Sequence, residues 1–222
     1  SGVNNLCTIN KNAGGDYLDV DPLLIEFLLY AKEMNDLTYG EMDVMMGSLL
    51  SLWHDARNSS PSYLPTDSDL KEAEKYIGFQ FLDIDVENNR VRINDSNARI
   101  DVGALGKGYA TEKAAELLEK KGISSYVLNI GGNIRIIGTK LDGSGWSTGI
   151  RDPKNPDGDF AVTIEVKDTA VVTSGSYERY FVVDGVKYPH IIDKDTLYPA
   201  RYYDSLTVIT KDSGLADCLS TA

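Results

Sequence analysis

The sequence predicts an α+β fold, with helices packed on a mixed β-sheet core in two lobes, and three observations carry that expectation. Through the first third, apolar residues recur at three and four, the period of a helix. From Phe79 onward they recur at two, the period of a strand. The strand regime is broken at Asp101-Val-Gly-Ala-Leu-Gly-Lys-Gly-Tyr-Ala110, where three glycines hand an extended segment over to the best helix of the chain.

Residues 1–20 are polar and rich in Asn, with a short apolar alternation at Leu6 and Ile9 and a close at Gly14-Gly15, and are expected to end an element that begins upstream. Asp21-Pro22 supplies an N-cap and a first-turn proline. Leu23, Leu24, Phe27, Leu28, Ala31 and Met34 then give a core-facing helix to about Asn35. After a turn at Gly40, Val44 to Trp53 is rich in Met and Leu and predicts a buried second helix or an irregular packed segment, with Met45 and Met46 as core filling. Asn58-Ser-Ser-Pro61 and Pro65 mark a loop. Thr66 or Ser68 caps a helix that carries Leu70, Ala73 and Ile77 and ends at Gly78. Phe81, Ile84 and Val86, then Val91 and Ile93, alternate about a hairpin turn at Glu87-Asn-Asn89.

Ala98 to Val102 reads as a short strand. In the helix after it, Ala110, Ala114, Leu117 and Leu118 form the apolar stripe, Glu112, Lys113, Glu116, Glu119 and Lys120 face water, and Gly122 closes it. Strands are expected at 125–130, 133–138, 147–151, 160–166, 169–173, 179–183, 186–192 and 204–210, with Asp184-Gly185 as a hairpin turn. A last helix runs from Ser213 to the end.

A chain of 222 residues that is 42% hydrophobic and 25% charged can bury a sizeable core. Its 22 basic against 34 acidic side chains leave a net charge of −12, a field that repels phosphate backbones and anionic bilayers and argues against nucleic acid as a partner. An anionic ligand then needs a local device, such as a metal ion or a helix terminus. No apolar run reaches the ~18 residues of a membrane span, so no transmembrane segment is expected. Cys7 and Cys218 lack a Cys-x-x-Cys spacing and read as small buried hydrophobes.

A strand that passes into a helix through glycines leaves several N–H groups aimed at one spot, with the positive end of the helix dipole behind them, and such a spot attracts phosphate. The spacing Gly103, Gly106, Gly108 is neither the dinucleotide fingerprint nor a P-loop, so this stretch alone suits an anion seat and an ordinary tight turn alike. His190, in Tyr188-Pro-His-Ile-Ile-Asp193, stands at a strand end and suits a general base or a structural histidine, with Asp193 in its neighbourhood. His54 reads as a surface residue. Asp217 and Thr221, four apart on the last helix, set a carboxylate and a hydroxyl on one face, which suits either a hard cation such as magnesium or a solvated surface.

Six stretches in one order resemble the FAD:protein FMN transferase family, the ApbE-type flavin transferases. They are Gly40-Glu-Met-Asp43, Asp101 to Gly108, Asn129-Ile-Gly-Gly132, Thr173-Ser-Gly-Ser-Tyr177, His190-Ile-Ile-Asp193 and Ala216-Asp-Cys-Leu-Ser-Thr-Ala222. The resemblance implies one ApbE-like, T-fold-related domain over 1–222, shortened at the N-terminus and possibly at the C-terminus. It implies an enzyme that takes FAD as substrate, uses Mg²⁺, and transfers FMN to a threonine of an acceptor flavoprotein with release of AMP. Carried over residue by residue, the backbone carbonyl of Ala104, the carboxylate of Asp217 and the hydroxyl of Thr221 would hold the metal. Glu41, Met42, Asp43, Asp101, Lys107 and Ile191 would contact the flavin nucleotide. His190 would take the proton from the attacking threonine. The resemblance also implies work on the extracytoplasmic side of a bacterial membrane, periplasmic or lipid-anchored.

The chain departs from the family pattern in places. Lys194 and Leu197 stand where the family reads His-x-x-Asp-Pro-x-x-Gly, so the turn after His190 is expected to differ in shape. Glu41 and Met42 stand where Gly-Ala-Phe-Asp is frequent, which alters the flavin seat. The N-terminal strand and part of the ring-binding edge found in the family are expected to be lacking, and the helix end at Thr221 to fray. Two alternatives use the same residues: a metal-dependent FAD pyrophosphatase giving FMN and AMP, and a flavin-binding module without catalysis.

Overall fold

A computed structural model describes residues 4–222. In order, these form α1 (Leu6–Lys11), β1 (Leu18–Asp19), α2 (Pro22–Leu37), α3 (Gly47–Asn58), α4 (Asp67–Glu74), β2 (Leu82–Asp85) and β3 (Arg90–Ile93). Next come α5 (Gly106–Lys120), β4 (Tyr126–Ile130), β5 (Asn133–Ile137), β6 (Trp146–Arg151), β7 (Phe160–Val166) and β8 (Thr169–Gly175). The chain ends with β9 (Tyr180–Val183), β10 (Val186–Pro189), β11 (Ser205–Thr210) and α6 (Ser213–Thr221). Two compact units result, one of residues 4–102 with 180–200, the other of 103–179 with 201–222. Every pairing of named strands is antiparallel, and the α+β class holds. No helix among the described residues is long and apolar enough to cross a membrane.

In the first unit, the alternation at Leu6 and Ile9 belongs to α1, whose N-cap Asn5 accepts from the Thr8 N–H and whose Ile9 is buried. The Asp21 carboxylate likewise caps α2, which buries Ile25, Phe27, Leu28, Ala31 and Met34 but leaves Leu23 exposed. Leu49, Trp53 and Ala56 of α3 pack with Leu70, Ala73, Phe181 and Leu197 in one core. The indole N–H of Trp53 donates to the Leu197 carbonyl at 3.0 Å, which pins the segment after β10 to α3. Strands β1, β3 and β2 form a three-stranded sheet in that order.

Ala98 to Val102 is not a strand, contrary to the sequence reading. Arg99 makes a single isolated bridge with Met46, and the Asp101 N–H donates to the Val44 carbonyl at 2.8 Å. The neighbouring chain turns into α3 at Gly47, so no ladder can continue. The approach there is close: a Cβ on Gly47 would lie 2.6 Å from the Arg99 carbonyl oxygen.

In the second unit, a four-stranded sheet runs β11-β8-β5-β4, with α5 and α6 packed on it and on each other, while β6 and β7 form a separate hairpin. The apolar stripe expected on α5 is rotated. Ala110 and Leu117 are exposed, Thr111 and Ala115 are buried, and Glu112 does not face water but pairs with Arg135 at 3.0 Å. The cause is the crossing with α6 at Gly108, where only the smallest residue fits, so the face holding 108, 111 and 115 turns inward. Of the two cysteines, both free, Cys218 is buried as expected and Cys7 is exposed.

Candidate functional site

Helix α5 starts without a cap of its own. Its N-cap position is Leu105, which has no side-chain acceptor. The missing acceptor comes from another helix: Asp217 Oδ2 accepts from the Gly108 N–H at 2.8 Å. A carboxylate is thus set at the positive end of α5, where unpaired N–H groups and the dipole favour negative charge. Burial pushes the Asp217 carboxyl above the ordinary carboxylate range, and the Gly108 N–H, the Lys107 charge and the Asn133 amide pull the other way.

Around Asp217 the second unit gathers more oxygen. Thr221 lies one turn further along α6, and its hydroxyl is 2.9 Å from Ser174 Oγ of β8. Ser174 Oγ is also 2.8 Å from Ser220 Oγ, and Ser220 in turn donates to the Asp217 carbonyl at 3.1 Å. Ala104, half-buried, occupies the turn just before α5. Lys107 is exposed and reaches the hairpin turn between β4 and β5, its Cδ 3.6 Å from where a Cβ on Gly131 would sit. Gly131 and Gly132 both hold φ in the left-handed region, +58° and +93°, as this turn requires.

Does this donor set fit a divalent cation? One carboxylate, hydroxyls and a backbone carbonyl make a hard-oxygen set, which matches the ligand preference of Mg²⁺. No cluster of three or more His, Cys, Asp or Glu forms among the described residues, so the carboxylate count stays low and further oxygens must come from hydroxyl, carbonyl or water. Asn133 adds a structural sign of fit. It is wholly buried beside Asp217, and neither polar atom of its amide finds a hydrogen-bond partner among the described residues.

The first unit assembles the other candidates around one turn. Met42 is buried: its N–H donates to Thr38 Oγ1 at 3.0 Å, and its carbonyl accepts from Asn35 Nδ2 at 2.8 Å. Asp43 Oδ1 accepts from the Met45 N–H at 2.7 Å. Burial raises the Asp43 carboxyl above its usual range, against that N–H and the Lys194 charge. Asp101 is tied to the same turn through the Val44 carbonyl. His54 is not a lone surface residue: its Nδ1 is 3.9 Å from Asp101 Oδ2. Lys194 pairs with Glu41 at 3.2 Å, so two departures from the family pattern meet each other.

His190 and Ile191 follow β10, half-buried, with the Ile191 carbonyl accepting from the Ala200 N–H at 2.9 Å. Asp193 Oδ1 accepts from the Asp195 and Thr196 N–H groups, at 2.8 and 3.3 Å, and so shapes the turn. Leu197 then takes φ +64°, a region that glycine enters freely, while its side chain is buried in the Trp53 core. The leucine therefore keeps a glycine-type turn.

Sequence reasoning missed His54, Asn133 and Ser174 as site residues. Asn133 carried a signal: at the head of β5, Asn133 and Arg135 occupy the buried positions and Ile134 the less buried one, an inverted alternation. His54 carried none, because its partner is distant in sequence.

A model of the ApbE family matches residues 2–222. An FAD:protein FMN transferase of Vibrio cholerae is 33% identical over 97% of this chain and 64% of its own length, and one of Treponema pallidum 31% identical over 98% and 63%. Among solved structures, the ApbE protein of Thermotoga maritima superposes with TM-score 0.88 at 37% identity, over 97% of this chain and 69% of that one. The flavin transferase ApbE of Vibrio cholerae does so with TM-score 0.82 at 31% identity, over 97% and 68%. The chain thus spans just under two thirds of the length of these curated relatives.

Proposed function

The chain belongs to the ApbE family, and on that premise we propose that it transfers FMN from FAD to a threonine of an acceptor flavoprotein, with Mg²⁺, releasing AMP. Relatives in Vibrio cholerae and Treponema pallidum carry the name FAD:protein FMN transferase. The observation that carries the reading is the buried Asp217 carboxylate at the N-terminus of α5, beside Lys107 and one helical turn from Thr221. In a protein of net charge −12, a pyrophosphate needs a local source of positive field, which Lys107 and the start of α5 supply and a cation held by Asp217 would add.

Asp217, Thr221 and the Ala104 carbonyl are the residues that would hold Mg²⁺. When bound, the ion supplies Lewis acidity at the phosphoryl oxygens. Lys107 and the first N–H groups of α5 bind and orient the pyrophosphate. In the first unit, Glu41, Met42, Asp43, Asp101 and Ile191 contact the flavin nucleotide. His190 accepts the proton of the threonine hydroxyl as its oxygen bonds to the FMN phosphorus, and the bond from that phosphorus to the AMP oxygen breaks.

The test is incubation with FAD and a threonine-bearing acceptor, with and without Mg²⁺, alongside Asp217→Ala and His190→Ala. Metal-dependent AMP together with protein-bound FMN, both lost in the two variants, supports the transferase. AMP and free FMN without any acceptor adduct would replace it by a pyrophosphatase, and FAD bound but unchanged by a binding module.

A further inference from the structure

We propose that Asn133 is a positioning residue for the cation site: its buried amide fixes the orientation of the Asp217 carboxylate when a divalent cation is bound. The inference rests on the reading of Asp217 and Thr221 as metal ligands.

Three observations lead to it. First, Asn133 is completely buried, and both Nδ2 and Oδ1 lack a hydrogen-bond partner among the described residues. An asparagine amide offers two donors and two acceptor sites, and buried polar groups are ordinarily paired. An apolar residue of the same size would suit this spot better if folding were the only demand. Second, the amide is beside Asp217, near enough to favour the charged carboxylate without completing a hydrogen bond. Third, its position is rigid. Asn133 heads β5, opposite Ile130 across the hairpin and opposite Val172 of the central strand β8, so its backbone is held on both sides.

A carboxylate has about four lone-pair positions. One of them, on Oδ2, is engaged by the Gly108 N–H. A cation occupying another pulls the carboxylate toward itself, and a fixed donor behind the group stops it from rotating away. Groups of this kind, behind the direct ligands, typically change metal affinity by about 10–100-fold when removed. Gly108 engages one oxygen of the carboxylate, and the Asn133 amide is the further polar group that acts on it.

The experiment measures Mn²⁺ binding by electron paramagnetic resonance on the protein without FAD, together with thermal melting in chelator. Wild type is compared with Asn133→Leu, Asn133→Ala and Asp217→Asn. The expected result is a weakening of Mn²⁺ affinity by tenfold or more in N133L, whose metal-free melting temperature equals or exceeds that of the wild type. A purely structural asparagine would give the reverse: lower stability and unchanged affinity. Affinity within twofold of wild type in folded N133L overturns the proposal, and N133A is read in the same way should N133L not fold. If D217N binds Mn²⁺ like the wild type, the metal-site reading itself fails; if D217N loses binding and N133L keeps it, only the role of Asn133 fails.

Discussion

Replacing Gly108 by alanine tests the crossing on which the metal-site reading depends. In an exposed helix, Gly→Ala stabilises by about 1 kcal/mol. At this position the added Cβ would lie 2.4 Å from Asp217 Cβ and 2.4 Å from the Ser213 carbonyl oxygen. Ser213 O is backbone and cannot rotate aside, so α6 has to move. Overpacking of this kind costs about 1–3 kcal/mol, and weakening the cap that Asp217 provides costs about 1 kcal/mol more. Set against the propensity gain, the expected net is a loss of about 1–3 kcal/mol. In a protein of this size that lowers the melting temperature by roughly 3–10 °C. Thermal melting by circular dichroism reads the shift, and Mn²⁺ titration of the same sample reads the displacement of Asp217 as weaker binding. A G108A protein that melts at or above the parent temperature, with unchanged Mn²⁺ affinity, would refute the close crossing.

Three further outcomes follow from the same structure. Leu197→Gly and Leu197→Ala both empty a place in the Trp53 core, but only glycine relieves the left-handed backbone at φ +64°; urea unfolding should find the Gly variant more stable than the Ala variant by about 0.5–1 kcal/mol, and the opposite order would contradict the strain. Asp43 has a folded-state pKa above its ordinary value because burial penalises its charge, so its contribution to stability is greatest below the unfolded pKa and is lost as pH rises through the raised one. Asp43→Asn, which keeps an acceptor for the Met45 N–H, should therefore melt higher than the parent near pH 7 and approach it as pH falls toward about 4; a gap that widens on acidification would count against this. Burial, with the Asp217 charge as a lesser cause, pushes the Cys218 thiol up to about 11, so a thiol reagent near pH 8 should label exposed Cys7 promptly and Cys218 only on unfolding; two fast thiols in the folded protein would disprove the burial.

How far could the sequence be read? Period and punctuation located most elements, because the forces that set them are local: Asp21-Pro22 opens α2, Thr66 caps α4, and Asp184-Gly185 turns β9 into β10 with φ of +50° and +78°. The errors lie where a distant partner decides. The stripe on α5 was displaced because α6 claims the face at Gly108, and Glu112 left the solvent because Arg135 stands on β5, 23 residues away. The extended chain at 98–102 could not become a strand because its neighbour turns into α3 at Gly47. Among the site residues, Asp217 and Thr221 were visible as a helical pair, but that Asp217 caps α5 was not, since the bond to Gly108 spans 109 residues.

The departures from the family pattern look unrelated along the chain but are joined in the first unit. Glu41 and Lys194 stand where the resemblance leads one to expect a small residue and a proline, and their side chains meet at 3.2 Å. Without the proline, the turn after His190 needs another restraint, and it has three: the Asp193 carboxylate accepting from two N–H groups, the Leu197 side chain sunk in the Trp53 core, and the lysine held by Glu41. An exposed ion pair adds little stability, typically under about 1 kcal/mol, so its effect is to place charge. Held there, Lys194 lowers the Asp43 carboxyl that burial raises. The second unit treats Asp217 in the same way, with burial pushing the carboxyl up while Lys107, the Gly108 N–H and the Asn133 amide pull it down. In both units burial raises a carboxyl that one lysine and one backbone N–H lower, so the same opposing causes act on Asp43 and on Asp217.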